Sequence, residues 1–365
     1  MLGRGRWYTL GGTDKIPSPA LARAEAQKRL GQYASGADPR VAKRAARQLT
    51  FTDYLDQVYS PWLNAHQRTG DETIARLKTL FAPSLGPLNL SELSAWQIEK
   101  WRSDRLKKGR TPATVNRDLA ALRGLLSRAV DWGHLPAHPL TRVKALAEDK
   151  TGRLRFLAPD EEGRLVAALE ARDETRRAQR ERSNTWRQER GYPRWTTLRT
   201  YTDHMTPIVL LALQTGLRFG ELTGLRWQDV DLTRRIVTVV AAHAKSGKTR
   251  YVPLNDEAVR ILKTWRASHV TPTGYVFPGE GGERLIDVKT AWMPLLRVAG
   301  VTGFRFHDLR HTFASRLVMA GVDLNTVREL LGHADLKMTL RYAHLAPEHK
   351  AAAVAKLTPT TRMSD

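Results

Sequence analysis

Residues 306–312 read Phe306-His307-Asp308-Leu309-Arg310-His311-Thr312. On a helix, His307, Arg310 and His311 fall on one face. That face carries a forked guanidinium between two imidazoles, a set suited to gripping an oxyanion and moving a proton near neutral pH. The two histidines also have the i, i+4 spacing of a zinc-protease helix. That motif needs Glu where Asp308 stands, and a third ligand.

Downstream come Leu330-Leu331-Gly332-His333-Ala334 and then Thr339-Leu340-Arg341-Tyr342-Ala343-His344. Gly332 reads as a helix C-cap, with His333 just beyond it. Tyr342 falls in a short helix after a turn, where a tyrosine taken alone is core packing. Upstream lies Thr215-Gly216-Leu217-Arg218-Phe219-Gly220-Glu221-Leu222, in which Gly216 ends an apolar helix that begins at Met205. Arg218 and Glu221 are three apart, so the carboxylate can hold the guanidinium. Taken alone, that pair reads as a surface ion pair worth under ~1 kcal/mol.

Between these clusters, Arg235–Val240 and Thr249–Leu254 are β-rich runs joined by a turn around Ser246-Gly247, which predicts a hairpin. Ser246-Gly247-Lys248-Thr249 matches the end of a phosphate-binding loop. Ala242 stands where that motif needs its first glycine, however, and a strand follows where it needs a helix.

Toward the N-terminus, residues 49–140 read as all helical. Leu55, Val58, Tyr59 and Trp62 recur at helical spacing. A helix is predicted from Ser94 to about Lys108, stopped by Gly109. Another opens at Thr111-Pro112, with an apolar face through Val115, Leu119, Leu122 and Leu126 and with Arg117, Arg123 and Arg128 opposite. Residues 1–48 are basic and irregular, with a short helix predicted from Ala20 to Tyr33. This segment is either a small DNA-contacting module or a solvated basic arm.

The chain of 365 residues is long enough for two or three domains, and its net charge of +22 favours a polyanionic partner. The absence of cysteine removes disulfides, thiol catalysis and Cys-ligated zinc. No apolar run approaches the ~20 residues that span a bilayer, and the opening MLGRGRWYTLGG lacks the apolar core of a signal peptide. The expectation is a nucleic-acid-binding protein of a bacterial cytoplasm, associated with the nucleoid and not with a membrane.

Taken together, Arg218, His307-x-x-Arg310, Gly332-His333 and Tyr342, in this order and spacing, resemble the tyrosine recombinase (phage integrase) family. Lys245, at the end of the first hairpin strand in AKSGKTRYVPL, fits the same pattern. The resemblance implies a mainly α fold in two parts. One is a helical, SAM-like core DNA-binding domain over 49–145. The other is a mostly helical catalytic domain over 156–358 with a small antiparallel β-sheet. Residues 359–365 would form a tail, and 1–48 only faintly resemble an arm-site-binding module.

The resemblance also implies roles. Tyr342 would attack a scissile phosphate, and Arg218 and Arg310 would grip its non-bridging oxygens. Lys245 would protonate the 5′-oxygen leaving group, His307 would assist the tyrosine's proton transfer, and His333 would bond the phosphate. Glu221 and His311 would support them. Neither a metal nor a cofactor is implied, because bond energy is kept in the phosphotyrosine. The implied partners are double-stranded DNA attachment sites and a homotetramer assembled on them. An excisionase and a host DNA-bending protein are further family expectations. Pro347–Ala355 would form a tail helix packing on a neighbouring subunit, or else on its own.

Ala171–His204, rich in Arg and aromatic residues, is longer than the family's usual link. It reads either as an added DNA-contact surface or as a solvated helical excursion. Phage or mobile-element integration is the leading function. Chromosome-dimer resolution is the nearest alternative, and resolvases usually lack both a basic N-terminal extension and such an insertion. A type IB topoisomerase arranges its motifs differently. A catalytically silent DNA-binding relative would be expected to have lost at least one of the six site residues.

Overall fold

Thr50, Ser94, Thr111 and Asp323 each open a helix as a side-chain cap. The computed structural model describes residues 18–34, 49–67, 69–148, 154–240, 248–268 and 274–346. The chain divides into two compact units, Met1–Thr151 and Gly152–Asp365.

In the first unit, α1 (Pro19–Ala34) covers the stretch predicted as a helix. Residues 1–17 and 35–48 lie outside the described residues. A helical run then passes from an α turn (Phe51–Asp53) through a π turn (Tyr54–Tyr59) into α2 (Ser60–His66). The π turn has a local cause. Pro61 has no N–H to give, and Ser60 donates both its backbone N–H and its hydroxyl to the Leu55 carbonyl, the hydroxyl at 2.6 Å. Helices α3 (Gly70–Leu85), α4 (Ala95–Lys107) and α5 (Pro112–Asp131) follow. Thr111 caps α5, its hydroxyl accepting from Thr114 N at 3.3 Å. Val115, Leu119, Leu122 and Leu126 are fully buried, as their spacing predicts.

Of the arginines on the far side of α5, Arg117 is exposed, but Arg123 and Arg128 are only partly turned to solvent. Arg128 lies 4.6 Å over the Trp62 ring, and Arg123 donates to the Val143 carbonyl. Helical spacing shows which side of a helix they occupy, but not which loop crosses it.

The second unit opens with α6 (Pro159–Glu189), a continuous helix of 31 residues. Residues 190–204 fold back along it. Next come α7 (Met205–Thr215), α8 (Phe219–Thr223) and a three-stranded antiparallel sheet of β1 (Val230–Asp231), β2 (Ile236–Val239) and β3 (Arg250–Pro253). Val237 pairs with Val252, so β2 and β3 form the predicted hairpin. Its connection, 241–247, lies outside the described residues and includes Lys245. A strand follows Thr249, as the rejection of a phosphate-binding loop requires.

Helices α9 (Asp256–Ser268), α10 (Lys289–Val298), α11 (Asp308–Met319), α12 (Leu324–Leu331) and α13 (Lys337–Leu340) complete the unit. The apolar α7 is buried between α9 and α11. A smaller cluster of Ala314, Val318, Val327, Leu331 and Tyr342 joins α11, α12 and the segment after α13. The tail predicted at 347–355 lies outside the described residues. Among those described, no helix is long and apolar enough to cross a membrane.

Candidate active site

Two left-handed glycines set the site. Gly216 ends α7 at φ +62° and turns Arg218 back toward α11 and α12. Gly332 ends α12 at φ +63°. The last carbonyls of a helix have no partner within it and carry the negative end of its dipole. Here they gather guanidinium groups. Arg250 Nε donates to Leu330 O at 3.1 Å, and Arg310 Nη2 to Leu331 O at 2.6 Å. Arg218 reaches Leu331 O and Gly332 O at 3.4 and 3.5 Å, the outer edge of hydrogen-bond length.

Arg310 is 2% exposed, and its Nη1 also donates to Gly216 O at 2.8 Å. Burial and the neighbouring Arg218 charge lower its pKa to about 9, which leaves it charged at neutral pH. Glu221 is buried beside these cations. It accepts from Arg218 N and Nη1, both at 2.9 Å, and from Arg250 Nη1 and Nη2 at 3.0 and 2.6 Å. Burial pushes its pKa up, but the hydrogen bonds and charge of Arg250, with Arg218 behind them, hold it below the ordinary carboxylate value. The pair read from sequence as a possible surface contact is therefore a buried one with a third member.

A cleft of about 440 Å³ is lined by Arg218, His307, Arg310, His311, His333 and Tyr342, among others. Five of the six residues singled out in the sequence thus meet in one place. Lys245, the sixth, lies outside the described residues. Tyr342 is 1% exposed. It sits two residues beyond α13 and begins a 3-10 turn, Ala343–Leu345, so the predicted helix stops short of it. Burial raises the phenol's pKa against the lowering effect of Arg310 and Arg341. Its hydroxyl lies 2.6 Å from His311 Nδ1.

His307 packs edge-on to His311, with ring centroids 5.2 Å apart. His333 Nδ1 lies 2.8 Å from the hydroxyl of the fully buried Thr339. Burial, followed by neighbouring positive charge, lowers His307, takes His311 to about 4 and takes His333 to about 3. All three are neutral at pH 7. Among the described residues, no three His, Cys, Asp or Glu side chains are placed to hold a metal ion.

Sequence reading missed Arg250. Its signal was alternation: Arg250 and Val252 share a face of β3, and Val252 is buried. A cation on a core-facing position demands a buried carboxylate. Reading also gave His311 a supporting role without pairing it to the tyrosine.

The fold is a mainly helical two-unit architecture whose second unit gathers arginines, histidines and one tyrosine in a cleft. The profile described as "Phage integrase family" matches residues 196–349, and that described as "Phage integrase, N-terminal domain" matches 53–147. The integrase of Salmonella phage P22 is 32% identical over 249 residues, 65% of this chain and 55% of that protein. The chain therefore spans about half the length of that relative. Tyrosine recombinase XerC of Xanthomonas campestris pv. campestris (strain B100) is 29% identical over 283 residues, 74% of this chain and 76% of the relative. The chain belongs to the phage integrase family of tyrosine recombinases.

Among solved structures, the Tn1549 transposon integrase in complex with a circular intermediate DNA has a TM-score of 0.61 at 19% identity, over 82% of this chain and 98% of that one. A lambda integrase dimer bound to a COC′ core site matches at TM-score 0.61 and 19% identity, over 91% and 87% of the two chains. These likenesses establish the shared fold.

Proposed function

We propose that this chain is a site-specific DNA recombinase that cuts and rejoins strands through a 3′-phosphotyrosyl intermediate and integrates phage or mobile-element DNA. The observation that carries the reading is the shared cleft, in which a tyrosine hydroxyl meets two buried or half-buried guanidiniums and three imidazoles. Tyr342 Oη attacks the phosphorus, a tyrosyl–phosphate bond forms, and the bond to the 5′-oxygen breaks. Arg218 and Arg310 face the charge that builds on the non-bridging oxygens. Arg310 is held rigidly by two backbone carbonyls, and Arg218, 17% exposed, can turn its N–H groups to an incoming anion. His333 bonds the phosphate, and a part for His307 in proton transfer rests on the family resemblance. Lys245 protonates the leaving 5′-oxygen, an assignment that rests on the family resemblance.

In this reading, residues 49–145 form the core DNA-binding domain and 156–358 the catalytic domain. Four copies assemble on two double-stranded attachment sites in a bacterial cytoplasm, with an excisionase and a DNA-bending host protein setting direction. The net charge of +22 supports a DNA partner. A lambda integrase tetramer has been solved on a Holliday junction, which supports the assembly.

The test uses a pool of nicked duplexes of random sequence. The wild-type protein should capture a subset as covalent adducts. Tyr342→Phe should bind that subset but form no adduct. An adduct that survives Tyr342→Phe removes the assigned nucleophile.

A further inference from the structure

We propose that His311, rather than His307, takes the phenolic proton as Tyr342 attacks, and that the arriving DNA phosphate is what enables it to do so. This deepens the recombinase reading above and rests on it.

The geometry is direct. Tyr342 Oη stands 2.6 Å from His311 Nδ1, with ring centroids 5.8 Å apart. At 1% exposure the phenol has no bulk water to receive its proton. A general base must sit within hydrogen-bond reach of the proton it removes, and His311 does so already. His307 packs edge-on to the His311 ring.

The titratable and charged groups facing His311 are His307, Arg310, Arg341, His333 and Tyr342. Burial and the positive members of that group keep the imidazole neutral, so in the empty cleft it accepts a hydrogen bond without accepting a proton. A phosphodiester gripped by Arg218 and Arg310 brings a negative charge into the same space. An opposite charge within ~4–6 Å favours the protonated imidazole. The anion that needs the nucleophile therefore also arms it, and an empty cleft keeps Tyr342 protonated and tucked in.

The step balances. The Oη proton moves to Nδ1, the oxygen bonds to phosphorus, and the bond from phosphorus to the 5′-oxygen breaks. That oxygen takes its proton from a separate acid. On rejoining, His311 returns its proton to Oη.

The experiment uses the full chain and the nicked duplex that the wild-type protein selects from the random pool. His311→Ala is expected to slow adduct formation by ~10²–10⁴-fold. Added imidazole should restore part of the rate, with the restored rate following imidazole's own titration. Replacing the 5′-bridging oxygen with sulfur, which leaves without a proton, should rescue Lys245→Ala but not His311→Ala. His311→Gln fills the same space and serves if the alanine variant does not fold. It should be slowed and lose the wild-type pH dependence between pH 5 and 8.

Wild-type cleavage in either His311 variant, repair of the defect by sulfur, or a folded His311→Ala deaf to imidazole overturns the proposal. If the wild-type protein forms no adduct from the pool, the recombinase reading falls and this inference falls with it.

Discussion

Glu221→Gln is the sharpest probe of how the site is held. The carboxylate side chain is 1% exposed and accepts four hydrogen bonds, two from Arg218 and two from Arg250. Their side chains are themselves only 17% and 11% exposed. The substitution keeps the shape but removes the only carboxylate among these hydrogen bonds, leaving two buried cations without their counter-charge. Breaking a buried pair in this way costs about 3–5 kcal/mol. For a unit of this size each kcal/mol corresponds to about 2–4 °C, so Tm should fall by roughly 6–20 °C.

Calorimetry and urea unfolding of the full chain measure the loss, read on the transition of the second unit. The mechanism makes two further demands. The double variant Glu221→Leu with Arg250→Met should be less destabilised than Glu221→Leu alone, because the stranded cation has been removed. The acid limb should also change. Arginine contacts hold the folded pKa of Glu221 below its ordinary value. Its stabilisation is therefore complete above about pH 4.3 and is lost as pH falls through the lower folded value. The variant should be flatter than the wild type over that window. A loss below ~1 kcal/mol, well under the buried-pair range, or simple additivity in the double variant, would refute the buried-network argument.

Two other outcomes follow from the packing. Gly216→Ala forces a Cβ to within 2.3 Å of the Phe313 ring at φ +62°, while at Gly332 the nearest atom is Arg250 Cδ at 2.9 Å, in a side chain held by Leu330 O and Glu221. Left-handed strain alone costs roughly 1–2 kcal/mol, so both variants should lose more than that, and Gly216→Ala, with the closer clash, the more. Equal losses in denaturant unfolding would contradict the assigned contacts. Within residues 171–204, the fully buried Asn184 accepts from Trp195 N at 2.8 Å and donates to Trp195 O at 2.9 Å. Asn184→Leu strands both groups at about 1–3 kcal/mol, so trypsin cleavage at Arg194 and Arg199 should quicken by roughly 5- to 100-fold. An unchanged rate would show that this latch does not hold the returning strand.

Residues 171–204 also mark where local sequence pattern runs out. Their arginines and aromatics suggested either a DNA-contact surface or a solvated excursion, the second being the simpler expectation. In the structure many of those charges are engaged internally. Arg172 and Arg176 pair with Asp203, Arg194 pairs with Glu181, and Arg187 lies over both Tyr192 and Trp195. A ladder of this kind depends on which residues of the returning chain fall opposite each helical turn. Local pattern does not state that register.

Other features were legible because they are local. The caps at Ser94 and Thr111, the helix-ending glycines 216 and 332 and the alternation of the hairpin strands are each set by a few consecutive residues. The order and spacing of Arg218, His307, Arg310, His333 and Tyr342 sufficed to suggest a phosphate-handling site. Which group touches which was decided only by tertiary packing. Arg310 meets Gly216 O across 94 residues, Arg250 meets Glu221 across 29, and His311 meets Tyr342 across 31. Such contacts exist only once α7, α11, α12 and β3 have buried their apolar faces against one another. Helical and strand periodicity tell each face which way to turn, but they carry no record of what it will meet.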